Sequence, residues 1–163
     1  FDRPTVTDGP ALWELVGACP PLDPNSPYCY LLLATHFADT CVVARAGNAL
    51  AGAITGYRLP SEPATLFVWQ VAVHPDFRGL GLGGRMLDAL LDAPGCAGVQ
   101  AVITTVTPDN APSRAMFESF AHRHGARLTQ DPGFPADLFP PVPGAAAHAP
   151  EECLRIGPFH RTT

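Results

Sequence analysis

Val71-Ala-Val-His-Pro-Asp-Phe-Arg-Gly-Leu-Gly-Leu-Gly-Gly84 runs directly into Arg85-Met-Leu-Asp-Ala-Leu-Leu91. The first residues read as an apolar strand ending at His74-Pro75, and the last as an amphipathic helix. Between them lies a glycine-rich turn. The start of a helix exposes unpaired N–H groups and a positive dipole end, so this turn is a candidate anion site. Gly79, Gly81 and Gly83 let a pyrophosphate approach the main chain with no Cβ in the way. Arg78 adds a planar cation suited to phosphate.

Three phosphate-binding patterns compete for this segment. A Walker loop ends in Gly-Lys-Ser/Thr, and the chain has no lysine. A dinucleotide fold needs Gly-x-Gly-x-x-Gly and an acidic residue about 20 positions on. Here the spacing is Gly-x-Gly-x-Gly-Gly, and the stretch after the helix offers only Val99-Gln-Ala-Val-Ile-Thr. The third pattern, Arg-x-x-Gly-x-Gly after a strand, resembles the coenzyme A pyrophosphate loop of the GNAT acyltransferases. In that reading Arg78, Gly79, Leu80, Gly81, Leu82, Gly83 and Gly84 form the cradle.

The chain has 163 residues, enough for one domain with a real core. It carries a net charge of −5 with ten arginines and no basic cluster, which argues against nucleic acid. Cys19, Cys29, Cys41, Cys96 and Cys153 are odd in number and scattered. They suggest inert thiols in the cytoplasm rather than disulfides or a metal site. No apolar stretch is long enough for a membrane span, and no signal-peptide pattern is visible.

Patterning places a first helix after Thr7 or Asp8, with Leu12, Leu15 and Val16 inward. A proline-broken loop follows at 19–27, then a second helical candidate from Tyr28 to Phe37. Strands are expected at Thr40–Arg45 and Ala49–Tyr57 around Gly47-Asn48, and at Thr65–Val73. Val99–Val106 reads as a buried strand. Asp109 is a candidate cap for a helix reaching about His124. Residues 131–150 read as an apolar, proline-rich loop, and Cys153–Gly157 as a last strand. This order indicates a mixed α/β sheet.

Longer segments narrow the family. Leu22-Asp-Pro-Asn-Ser-Pro-Tyr-Cys-Tyr-Leu-Leu-Leu33, Thr65-Leu-Phe-Val-Trp-Gln-Val-Ala-Val73, Val106-Thr-Pro-Asp-Asn-Ala-Pro-Ser-Arg114 and Leu154-Arg-Ile-Gly-Pro158 resemble the L-2,4-diaminobutyrate acetyltransferases of ectoine biosynthesis. The resemblance runs from about Pro4 to Pro158. It implies one GNAT domain over 1–163, with a mixed central sheet splayed between its fourth and fifth strands and flanked by helices. It also implies acetyl-CoA as co-substrate, no metal, a small diamine acceptor, and a cytoplasmic homodimer.

Roles follow by the same resemblance. The backbone of Val71, Ala72 and Val73 holds the pantetheine arm, and an N–H near Val71 or Ala72 polarises the thioester. Asn110, Arg114 and Phe117 complete the cofactor side. Phe117 stands where relatives often have a proton-donating Tyr. Trp69 and Gln70 stand where relatives often have a basic carboxylate, so Glu151 and His148 become the candidate bases. Asp23, Asn25, Tyr28, Tyr30, Trp69, Gln70 and Glu151 are the candidate acceptor contacts. Arg58 or Arg155 could meet the acceptor carboxylate. Two other readings stay open: a GNAT enzyme for another small amine or polyamine, and an acyl-CoA-binding sensor without turnover.

Overall fold

The structure, a computed structural model, describes residues 1–141 and 147–159. These fall into two compact units, one from Phe1 to Val99 and a second beginning at Gln100.

In the first unit, α1 (Gly9–Gly17) and α2 (Pro27–His36) precede three strands, β1 (Val42–Ala46), β2 (Ala49–Leu59) and β3 (Glu62–Val73). The strands are antiparallel in the order β1-β2-β3, with Ala46 opposite Ala49 and Val73 opposite Gly52. Leu12, Leu15 and Val16 of α1 and Tyr30, Leu33 and Ala34 of α2 cover Val43, Leu50, Ala53 and Ala72. Each fully buried leucine contributes about 1.5–3 kcal/mol. The chain then turns into α3 (Leu82–Asp92), which buries Met86, Leu87, Leu90 and Leu91. A Cβ at Gly52 would meet Met86, so α3 lies on the sheet face opposite α1 and α2.

The second unit contains β4 (Ala101–Val106), α4 (Ala111–Arg123), β5 (Leu128–Phe134) and β6 (Glu151–Ile156). β6 pairs antiparallel with both β4 and β5.

Four expectations change. The strand carrying Val71 is the third in chain order and the next is the fourth, not the fourth and fifth. The segment before α1 supplies only an isolated bridge, Asp2 to Val43, because Pro4 follows with no N–H to extend it. Asp8 does precede α1, but its carboxylate turns to Arg45 and Thr5 rather than capping that helix. The cap of α4 is Asn110, whose Oδ1 accepts from the Ser113 N–H at 3.2 Å, not Asp109. β5 occupies a stretch read partly as loop, since Asp131-Pro132-Gly133 forms an irregularity in the ladder between Asp131 and Phe134. Of the expected 131–150 segment, 142–146 lies outside the described residues.

Candidate active site

β3 ends at Val73, and Pro75–Phe77 makes a short turn before the glycines. Gly79 (φ +76°) and Gly81 (φ +66°) are left-handed, and Gly81 is the N-cap of α3. A residue with a Cβ would lose about 1–2 kcal/mol at each. Nothing lies within 4 Å of where a Cβ would sit at either glycine. Gly79, Leu80 and Gly81 are exposed, while Leu82 and Gly83 open the helix. Their first-turn amides point out of the helix start, as an anion requires. Arg78 is not loose beside this turn. Its Nε donates to the Val73 carbonyl at 3.1 Å, which holds the guanidinium at the end of β3.

The phase of the β2–β3 ladder decides which peptide groups of β3 can meet a ligand. His74 N–H donates to Ala51 C=O at 3.0 Å. With Val73 opposite Gly52 and Ala72 opposite Ala53, the pairs alternate from there. The peptide groups of Gln70 and Ala72 therefore point to β2, and those of Val71 and Val73 point away from it. Ala72 is corrected on this ground: its N–H is committed to the ladder. The Val73 carbonyl also accepts the Cys19 thiol at 3.2 Å, a contact that nothing in the spacing announces.

A cleft of about 250 Å³ opens beside the turn, walled by Arg45, Phe77, Leu80 and Arg85 among others. It lies on the β1 side of α3, so it does not reach the outward peptide groups of Val71 and Val73.

The candidate acceptor contacts divide sharply by exposure. Trp69 is 39% exposed in mid-strand, although its neighbours Val68 and Gln70 are buried. Tyr28 and Asp23 are exposed and Asn25 is half-buried. Tyr30 and Gln70 are corrected: both are buried and cannot wall a pocket directly. Tyr30 O–H donates to Gln70 Oε1 at 3.2 Å, and its oxygen accepts the Asn25 N–H at 3.3 Å. Gln70 Nε2 donates to the Asp23 carbonyl at 3.0 Å.

In the second unit, Arg114 is corrected from cofactor contact to ion-pair partner of Glu152, with Gln130 also in reach. Phe117 is 1% exposed and belongs to the core, so it meets no ligand. Glu152, 38 residues from Arg114, leaves no trace in local spacing. His148 stacks on Phe139 with ring centroids 3.9 Å apart. Its Nδ1 lies 2.6 Å from the Ala149 carbonyl, which can only accept, so Nδ1 is the donor of that bond. Glu151 opens β6 opposite Phe134 and is half-buried. Its carbonyl would lie 2.0 Å from a Cβ placed on Gly133.

Arg58 is corrected too. It donates to the carbonyls of Pro63, Gly95 and Ala97, which makes it a backbone clamp rather than a carboxylate ligand. Burial pushes the Cys41 thiol up to about 11 and raises those of Cys29 and Cys153. None of these three supplies an appreciable thiolate at neutral pH.

The profile of the Acetyltransferase (GNAT) family matches residues 10–122. Over 157 residues the chain is 47% identical to the L-2,4-diaminobutyric acid acetyltransferase of Bordetella parapertussis, covering 96% of this chain and 82% of that one. It is also 47% identical over 164 residues to the enzyme of that name from Streptomyces avermitilis, covering 98% and 88%. A solved structure of diaminobutyrate acetyltransferase EctA from Paenibacillus lautus, in complex with its substrate L-2,4-diaminobutyric acid and coenzyme A, superposes with a TM-score of 0.90 at 39% identity. The match covers 99% of this chain and 96% of that one.

Proposed function

The chain belongs to the GNAT acetyltransferase family and, within it, to the L-2,4-diaminobutyric acid acetyltransferases, and from that premise we propose how its residues carry the transfer. The enzyme moves acetyl from acetyl-CoA to L-2,4-diaminobutyrate, a step of ectoine biosynthesis. We read the two units as parts of one acetyltransferase domain, because the family match at 10–122 runs through both. We assign the γ-amine as acceptor, and the reading extends to a cytoplasmic homodimer on family resemblance. No helix among the described residues is long and apolar enough to cross a membrane.

One observation carries the mechanism. Two left-handed glycines lead into α3 one short turn after a strand whose Val71 and Val73 peptides face away from β2. Coenzyme A fits this arrangement: its pyrophosphate suits the exposed turn at Gly79–Gly81 and the first-turn amides of Leu82 and Gly83. Arg78 adds positive charge there. When bound, acetyl-CoA supplies the activated thioester. Val71 N–H is the donor placed to polarise that carbonyl, since Ala72 N–H is spent on β2.

The acceptor amine is mostly ammonium at neutral pH and must lose a proton before it attacks. Glu151 and His148 Nε2 are the proposed proton acceptors. Asp23, Asn25, Tyr28 and Trp69 form the proposed acceptor wall, with Asp23 opposing an ammonium. Attack is direct, in a ternary complex, because burial raises the thiols of Cys29 and Cys41, which would otherwise be the candidate nucleophiles for an acyl-enzyme.

The test compares kcat/KM for L-2,4-diaminobutyrate with that for 1,3-diaminopropane, which lacks only the carboxylate. A preference for the amino acid of at least about tenfold is expected, the share of one charge-assisted contact. Equal or better use of the diamine overturns the acceptor assignment.

A further inference from the structure

We infer that Tyr30 and Gln70 are positioning residues that set acceptor selectivity by holding the main chain of Asp23 and Asn25. This rests on the reading of the 22–26 loop as acceptor wall. Both residues are buried, at 0% and 6% exposed, so neither offers the acceptor a surface of its own. Their polar atoms instead form one chain of bonds: Asn25 N–H to Tyr30 oxygen, Tyr30 O–H to Gln70 Oε1, and Gln70 Nε2–H to Asp23 C=O.

Those two anchored peptide groups flank Pro24, which has no N–H of its own. The loop bonds to itself at its ends, Leu22 N–H to Cys19 C=O and Cys29 N–H to Ser26 C=O. Its middle is fastened from below by the buried pair. Buried polar side chains that satisfy each other and the backbone fix one conformation.

A break in the ladder ties this anchor to the rest of the proposed wall. Gln70 points toward α2, where it meets Tyr30, while its neighbour Trp69 is the extra residue where the β2–β3 register shifts, and it is exposed. One stretch of β3 thus sets both the loop and the aromatic surface. A diamine with two similar ammonium groups is sorted by where fixed charges stand, and a loose Asp23 cannot sort them.

The experiment uses the full chain with Tyr30→Phe, which keeps the ring and removes both hydroxyl bonds, and Gln70→Met, which keeps the volume. Melting temperature, kcat and KM for each substrate are measured, with the ratio of diaminobutyrate to 1,3-diaminopropane use. We expect KM for diaminobutyrate to rise about tenfold, the selectivity ratio to fall, and KM for acetyl-CoA to stay put. A lower melting temperature with unchanged acceptor KM and ratio overturns the inference. Asp23→Asn is run alongside. If it raises acceptor KM and the two buried variants do not, the wall stands and the positioning role falls. If Asp23→Asn changes nothing, the wall reading itself fails. Should both buried variants fail to fold, hydrogen exchange of the wild-type Asn25 amide decides. Protection supports the anchor, and free exchange overturns it.

Discussion

Neutralising Asp8 should weaken the enzyme by an amount that disappears in acid. Asp8 is 8% exposed, and its carboxylate accepts two parallel bonds from Arg45, at 2.9 and 3.0 Å. It also accepts the Thr5 N–H at 2.7 Å and the Thr5 hydroxyl at 2.9 Å. The Arg45 bonds, chiefly, and those from Thr5 outweigh desolvation and lower the Asp8 pKa from 3.8 to about 2. Arg45 moves the complementary way, upward, through the same pair. A lowered folded pKa stabilises the protein fully above the unfolded value and loses that contribution as pH falls through about 2. The ceiling is about 2.5 kcal/mol. Because the Arg45 side chain is 33% exposed, solvent screening brings this to about 1–2 kcal/mol. Urea unfolding of wild type and Asp8→Asn, followed by circular dichroism from pH 7 down to pH 2.5, measures the difference directly. The gap should hold from pH 7 to about 5 and then narrow. A gap below about 0.5 kcal/mol at pH 7, or one that stays flat into acid, refutes the reasoning.

Arg58→Lys should cost about 1–3 kcal/mol of stability, because one ammonium cannot serve carbonyls on Pro63, Gly95 and Ala97 together. Its KM for diaminobutyrate should not move; a large rise with an unchanged melting temperature would restore a substrate role. Phe117→Tyr should not raise kcat, since the ring is buried and no acid there could reach a leaving thiolate. It should lower stability by about 1–3 kcal/mol for an unpartnered hydroxyl, and a gain in turnover would defeat that placement.

Local chemistry made the glycine turn legible. Strand, left-handed glycines and helix start are consecutive, and each depends on residues a few positions away. The strand before it was legible for the same reason, expected at Thr65–Val73 and found at Glu62–Val73. What escaped depends on partners distant in sequence. Arg114 looked available until Glu152 was found against it. Tyr30 has the residue type of a pocket wall, but its hydroxyl is committed to a hydrogen bond accepted by Gln70, 40 residues on. Arg58 has the chemistry of a carboxylate ligand, but carbonyls of Pro63, Gly95 and Ala97 take its donors. β5 escaped for another reason: Asp131-Pro132-Gly133 has the composition of a turn, yet the ladder tolerates it as an irregularity and resumes at Phe134.

That irregularity gives position 133 a hold over chemistry it never touches. With the Glu151 carbonyl 2.0 Å from where any Cβ would go, even alanine must push the two strands apart at the point where β6 begins. The proposed base would then be re-aimed while keeping its identity and its neighbours in sequence. Anyone reshaping this hairpin to admit a bulkier amine therefore has a hidden steering point, and one that a survey of ligand-facing side chains would pass over.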